Sequence, residues 1–76
     1  MKKFDLVGVN GNAWCVMGYT SNALKQVGLG DKVDDMTKEA MSGDYNNLLN
    51  VCFKYVEMAN KKLAEDGLLE DYNEED

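Results

Sequence analysis

The chain offers few side chains able to carry out covalent chemistry. Cys15 and Cys52 each stand alone in an apolar stretch, and no His exists anywhere in the 76 residues to serve as their base. Ser21 and Ser42 likewise lack a base at a workable spacing. The absence of His also removes the commonest metal ligand and general base. Two isolated Cys do not build a zinc cage, and the acids do not follow the calcium-loop pattern. Adjacent carboxylates occur at Asp34-Asp35, where neighbours on a helix point to different sides. These residue types exclude the usual enzymes and predict no metal and no cofactor. Both cysteines read as buried, reduced thiols.

Two polar turns are better placed for binding. One is Asn10-Gly11-Asn12-Ala13, followed by Trp14, and the other is Ser42-Gly43-Asp44-Tyr45. Asn12 and Asp44 have the short polar side chains that cap helix N-termini, and such termini carry free N–H groups and a positive dipole end. Short connections make consecutive helices antiparallel, which brings both turns to the same end of a three-helix bundle. Asn10, Gly11, Asn12, Trp14, Ser42, Gly43, Asp44 and Tyr45 are therefore the candidate ligand- or partner-binding set. Ordinary capping accounts for the same residues, and Asp44 would set a negative charge where an anion would sit. The glycines at 8 and 11 are not a dinucleotide fingerprint, which needs a third glycine and a βαβ context. Trp14, Tyr19, Tyr45 and Tyr55 divide between core and a partner-facing patch, since Trp and Tyr are enriched at binding hot spots.

The elements that must position these residues follow from periodicity. Phe4 to Val9 reads as a short strand stopped by Asn10-Gly11-Asn12. No comparable strand follows, so it lies on the helices, pairs with the weak Gly67-Leu68-Leu69 segment, or pairs with a second copy through Leu6, Val7 and Val9. Asn12 caps a first helix to about Val27, with Gly28 and Gly30 as its stop. Its core stripe is Ala13, Val16, Met17, Thr20, Ala23, Leu24 and Val27. Gly18, one turn after Trp14, leaves room for the indole or for another backbone. Asp31 caps a second helix, with Asp34 at the third position and Val33, Met36, Ala40 and Met41 buried. Gly43 ends it. The third helix runs from Asp44 to roughly Ala64 with two apolar seams, Leu48-Cys52-Val56-Ala59-Leu63 and Val51-Tyr55-Met58, so it touches two neighbours. The expected fold is mainly α: a short N-terminal β-strand, then a three-helix bundle forming one domain over residues 1–64, then an acidic tail over 65–76.

Charge sharpens the outline. The composition, 45% hydrophobic and 29% charged, is that of a folding chain rather than a disordered one. Its net charge of −6 comes from eight Lys and fourteen acids, with no Arg. Seven of the acids lie from Glu65 onward with no Lys among them, leaving eight Lys against seven acids before them. The low pI thus belongs to the tail, a solvated segment or an interaction arm. Missing Arg and scattered Lys argue against nucleic-acid binding. Met1-Lys2-Lys3 imitates a signal-peptide start, but Asp5 and Asn10-Gly11-Asn12 interrupt any apolar run, so a cytoplasmic protein without membrane span is expected. A chain this short buries only about 60% of its unfolded surface, which gives self-association added value.

Asp5-Leu6-Val7-Gly8, Asn10-Gly11-Asn12-Ala13 with Gly18, and Met41-Ser42-Gly43-Asp44-Tyr45 with Leu48-Leu49 together resemble a family of short bacterial and phage proteins with no assigned role. The likeness spans roughly residues 4–60, and in that family Asp is expected where this chain has Asn10. It implies a phage or prophage setting and two turn motifs as defining features. The function expected from all this is a non-enzymatic protein-interaction module, of the kind a phage uses for host takeover or anti-defence inhibition, with a protein partner or a second copy. The alternative is a small-ligand binder, such as a nucleotide sponge, built on the two helix N-termini.

Overall fold

Two cap residues and two glycines set the helix boundaries. The Asn12 carboxamide accepts the Trp14 N–H at 2.9 Å and starts α1 (Ala13–Gln26), and the Asp44 carboxylate accepts the Asn47 N–H at 2.9 Å and starts α3 (Tyr45–Glu65). Beyond Gln26, Gly28 adopts a φ of +82°, which lets its own N–H reach Lys25 O while the Leu29 N–H reaches Leu24 O. That pair of bonds satisfies the carbonyls a helix end leaves open. The same two bonds close α3 at Gly67 and Leu68. Between them lies α2 (Val33–Ala40). This computed structural model describes residues 2–68.

The chain is mainly helical, with three α-helices and, among the described residues, no strand. α3 is the central element and packs against both α1 and α2. Its seam of Leu48, Cys52, Val56, Ala59 and Leu63 is buried, as are Val51 and Tyr55 of its second seam, while Met58 packs at the core margin. Opposite stand Val16, Met17, Ala23, Leu24 and Val27 from α1 and Met36 and Ala40 from α2. Thr20 is fully buried, and its hydroxyl donates to Val16 O at 2.9 Å, so this polar group enters the core already satisfied.

Four expectations need correction. Asp31 does not cap α2: residues Gly30–Lys32 form one 3-10 turn that feeds directly into Val33, and no side chain caps the join. Met41 is 57% exposed rather than buried, because it is the residue at which α2 stops and the chain turns away. Cys15 is exposed, one position off the α1 stripe, whereas Cys52 is buried. The Phe4–Val9 segment is extended at first but does not form a strand. Its backbone pairs with a side chain instead: the Phe4 N–H donates to Asn60 Oδ1 at 2.7 Å, and Asn60 Nδ2 donates to Phe4 O at 2.9 Å. One carboxamide thereby supplies the donor and acceptor that a neighbouring strand would supply.

This segment forms a strap along α1 and α3. Phe4 meets Tyr19 edge to face at 6.3 Å between ring centroids, and the Asp5 N–H donates to the Tyr19 hydroxyl at 2.8 Å. At Leu6–Val9 the strap turns, with Val9 N–H bonded to Leu6 O at 3.0 Å and Gly8 at φ +91°, the left-handed position such a turn reserves for glycine. The turn breaks the alternation expected of a strand. Leu6 and Val9 pack against the core while Val7 is 81% exposed. Of the acidic tail, Glu65 is the last residue of α3 and Asp66–Leu68 complete its end; residues 69–76, and Leu69 of the segment weighed as strand partner, lie outside the described residues.

Candidate functional site

The two polar turns meet. Tyr45, the first residue of α3, donates its hydroxyl to Gly11 O in the turn before α1. Each turn is internally bonded as well. Asn10 Oδ1 accepts the Asn12 N–H at 2.8 Å, which sets Asn12 up as the α1 cap. Ser42 Oγ donates to Glu39 O at 2.7 Å, and Asn47 Nδ2 donates to the same carbonyl at 2.9 Å and to Ala40 O at 3.4 Å. Asn47 thus ties the first turn of α3 to the last carbonyls of α2. Gly43 is small for a steric reason: a Cβ there would lie 3.0 Å from the Asn47 Cβ. The start of α1, the end of α2 and the start of α3 therefore share one end of the bundle.

At this end the rings and the thioether face outward. Trp14 is 69% exposed and Tyr45 43%, and Met41 lies beside the turn. Nothing comes within 4 Å of where a Gly18 Cβ would be, so neither the indole nor a second backbone fills that space. Phe53, two turns along α3 from Tyr45, is also exposed. The sequence reading missed Phe53 and Met41 as surface residues and missed Asn47 and Asn60 as long-range connectors.

Charge is distributed along the same axis. Residues 6–24 contain no charged side chain, and residues 40–53 contain Asp44 alone. Lys25, the acids from Asp31 to Asp35 and the charged run from Glu57 to Asp66 belong to the end where α1 and α3 finish and α2 begins, while Lys38 and Glu39 stand in the last turn of α2, next to the Ser42–Tyr45 turn. At the boundary, Lys54 Nζ lies 2.6 Å from Glu39 Oε1 and 5.2 Å from the Tyr55 ring centroid, and the Tyr55 hydroxyl donates to Glu39 Oε2 at 3.1 Å. The Lys54 hydrogen bond holds the Glu39 carboxyl below its ordinary value and raises Lys54 in turn. Burial, followed by the bond to Glu39, pushes Tyr55 up. Burial also raises the Cys52 thiol, so its thiolate, the reactive form, is suppressed.

Of the N–H groups at these two helix starts, that of Trp14 is taken by Asn12 and that of Asn47 by Asp44. Among the described residues no three His, Cys, Asp or Glu gather as a metal site would require, and no helix is long and apolar enough to cross a membrane. The strap's Phe4, Asp5, Val7 and Val9 N–H groups are likewise bonded within the chain. No family model, curated protein or solved structure matches the chain, and the resemblance drawn above stands on its quoted motifs alone.

Proposed function

We propose that this chain is a non-enzymatic interaction module that binds a protein surface through the end of the bundle that carries Trp14, Met41 and Tyr45. The supporting observation is the exposure of Trp14, Met41 and Tyr45 on a part of the molecule where Asp44 is the one charge over residues 40–53. Interface cores are depleted in charge and enriched in aromatic residues and Met, and Trp and Tyr carry much of the binding energy. The polar groups beneath these rings already have partners within the chain, so covering them with protein strands few donors or acceptors. Blocking a partner protein is the form this takes in the phage setting that the resemblance implies.

The small-ligand alternative draws less support, because each capping side chain takes one of the N–H groups it would use and Asp44 adds a carboxylate that repels an anion. A benzophenone amino acid placed at position 14, and at position 61 as control, tests the leading reading in producing cells. Protein adducts are expected from position 14 and not from position 61. Irradiation that yields no protein adduct at position 14 rejects it.

A further inference from the structure

We infer that Asn10-Gly11 is a self-modification site, where the Asn10 carboxamide is lost by cyclisation onto the Gly11 nitrogen and the molecule gains a negative charge. An asparagine side chain can close a succinimide ring with the backbone nitrogen of the residue that follows it. Two features ordinarily prevent this: a Cβ on the following residue, which crowds the nitrogen, and a helical backbone or hydrogen bond that holds the nitrogen elsewhere. Neither operates at Asn10. Gly11 has no Cβ, both residues are exposed and lie outside α1, and among the described residues nothing accepts the Gly11 N–H.

The other described asparagines are restrained. Asn22, Asn50 and Asn60 lie inside α1 and α3, where the next N–H belongs to the helical ladder. The N–H following Asn46 goes to Asp44 Oδ1 at 2.9 Å, and the one following Asn47 goes to Asp44 O at 3.0 Å. Asn12 is followed by Ala13, whose Cβ and helical backbone close the approach. Asp66-Gly67 also lacks a Cβ, but its Gly67 N–H is taken by Ala64 O at 3.1 Å.

The turn also favours the reaction. The Asn12 N–H donates to Asn10 Oδ1 at 2.8 Å, which folds the carboxamide back over the Gly11 peptide. That N–H points at the oxygen on which negative charge develops as the ring closes. The Gly11 nitrogen gives its proton to solvent base and bonds to Asn10 Cγ, the Cγ–Nδ2 bond breaks, and the amide nitrogen leaves as ammonia. Water then opens the ring. Cleavage of the new Cγ–N bond leaves an aspartate, which keeps its bond from the Asn12 N–H near the positive end of α1. Cleavage of the original main-chain bond leaves an isoaspartate, and the backbone is one methylene longer between Val9, packed on the core, and Asn12, the α1 cap. The Gly11 carbonyl that accepts the Tyr45 hydroxyl lies within that lengthened stretch.

Peptide mass mapping of the full chain during storage in warm, mildly alkaline buffer tests the inference, with isoaspartyl methyltransferase labelling as the probe for the isoaspartate. Asn10 should convert in a single phase, with a new acidic species on ion exchange, while the other described asparagines keep their carboxamides. Gly11→Ala should slow conversion by about tenfold or more, the ~1.4 kcal/mol of one decade in rate. A Cβ there meets nothing nearer than the Tyr45 hydroxyl at 3.5 Å, so the variant folds, as circular dichroism will check. Three outcomes overturn the inference: conversion spread over several described asparagines, a Gly11→Ala chain converting at the parent rate, or an Asn10 that stays intact in the folded chain while the urea-unfolded chain loses it.

Discussion

Two cysteines in one small chain differ only in their place on a helix. Cys15 lies one position off the buried stripe of α1 and is exposed; Cys52 lies in the central seam of α3 beside Thr20, buried and with its thiol raised by that burial. An alkylating reagent applied to the native protein should therefore add one label, mapped by peptide mass to Cys15, and a second only after denaturation. Two labels at equal rates would contradict the core packing. Gly18 gives a second test at this scale. It sits inside α1 with open space where a Cβ would go and without a positive φ, so Gly18→Ala should raise stability by about 0.5–1 kcal/mol in urea unfolding. Gly28→Ala should lower it, by roughly 1–2 kcal/mol, since φ there is +82°. Residue types alone made the caps and the core stripe legible. They did not reveal that Met41 faces out, because periodicity carries on past the residue at which a helix stops.

Elements are held to one another here by side-chain amides and one ionic group. Asn60 clasps Phe4 across 56 residues of sequence. Asn60→Leu keeps the bulk and removes both bonds, and should cost about 1–3 kcal/mol while amide exchange at Phe4 accelerates and the helices stay protected. Between α2 and α3, Glu39 meets Lys54 and Tyr55. Glu39 is lowered from 4.5, so its share of stability is present above that value and is lost as pH falls through the lower folded value. Lys54 is raised from 10.5, so its share is present below that value and is lost as pH rises through the higher folded one. Melting temperatures against pH should fall at both extremes, and Glu39→Gln should flatten the acid limb. An unchanged acid limb would mean that the pair is not formed in solution. Helix starts at Asn12 and Asp44 and the stop at Gly28 were readable because capping is local chemistry. The strap was misread as a strand because its pairing group sits on a helix far along the chain, where nothing in Phe4–Val9 points to it.

At the scale of the whole molecule, one end exposes Trp14, Met41 and Tyr45 beside the charges of Lys38, Glu39 and Asp44, and the other carries the charged run of α3 from Glu57 to Asp66. That the two polar turns would meet followed from short connections alone; the Tyr45 bond to Gly11 that joins them did not, since it spans 34 residues. A contact made through the Trp14, Met41 and Tyr45 side chains should respond to salt unlike an ionic one. Sulfate should strengthen it through exclusion from apolar surface, and sodium chloride should leave it nearly unchanged. Sedimentation with the captured partner in the two salts separates the cases, and steep weakening by sodium chloride would place the contact on charged side chains instead.

The Asn60 clasp also orders events during synthesis. At about 5–20 residues per second, a ribosome needs on the order of 3–11 s to travel the 56 residues from Phe4 to Asn60. Throughout that interval Phe4 lacks the carboxamide that will pair its backbone, and the uncharged stretch 6–24 leaves the tunnel ahead of the α3 seam that will cover its apolar side. The nascent chain is thus at its most adhesive early, before its charged residues in α3 and beyond arrive, and closure of the strap becomes the step that ends that exposure.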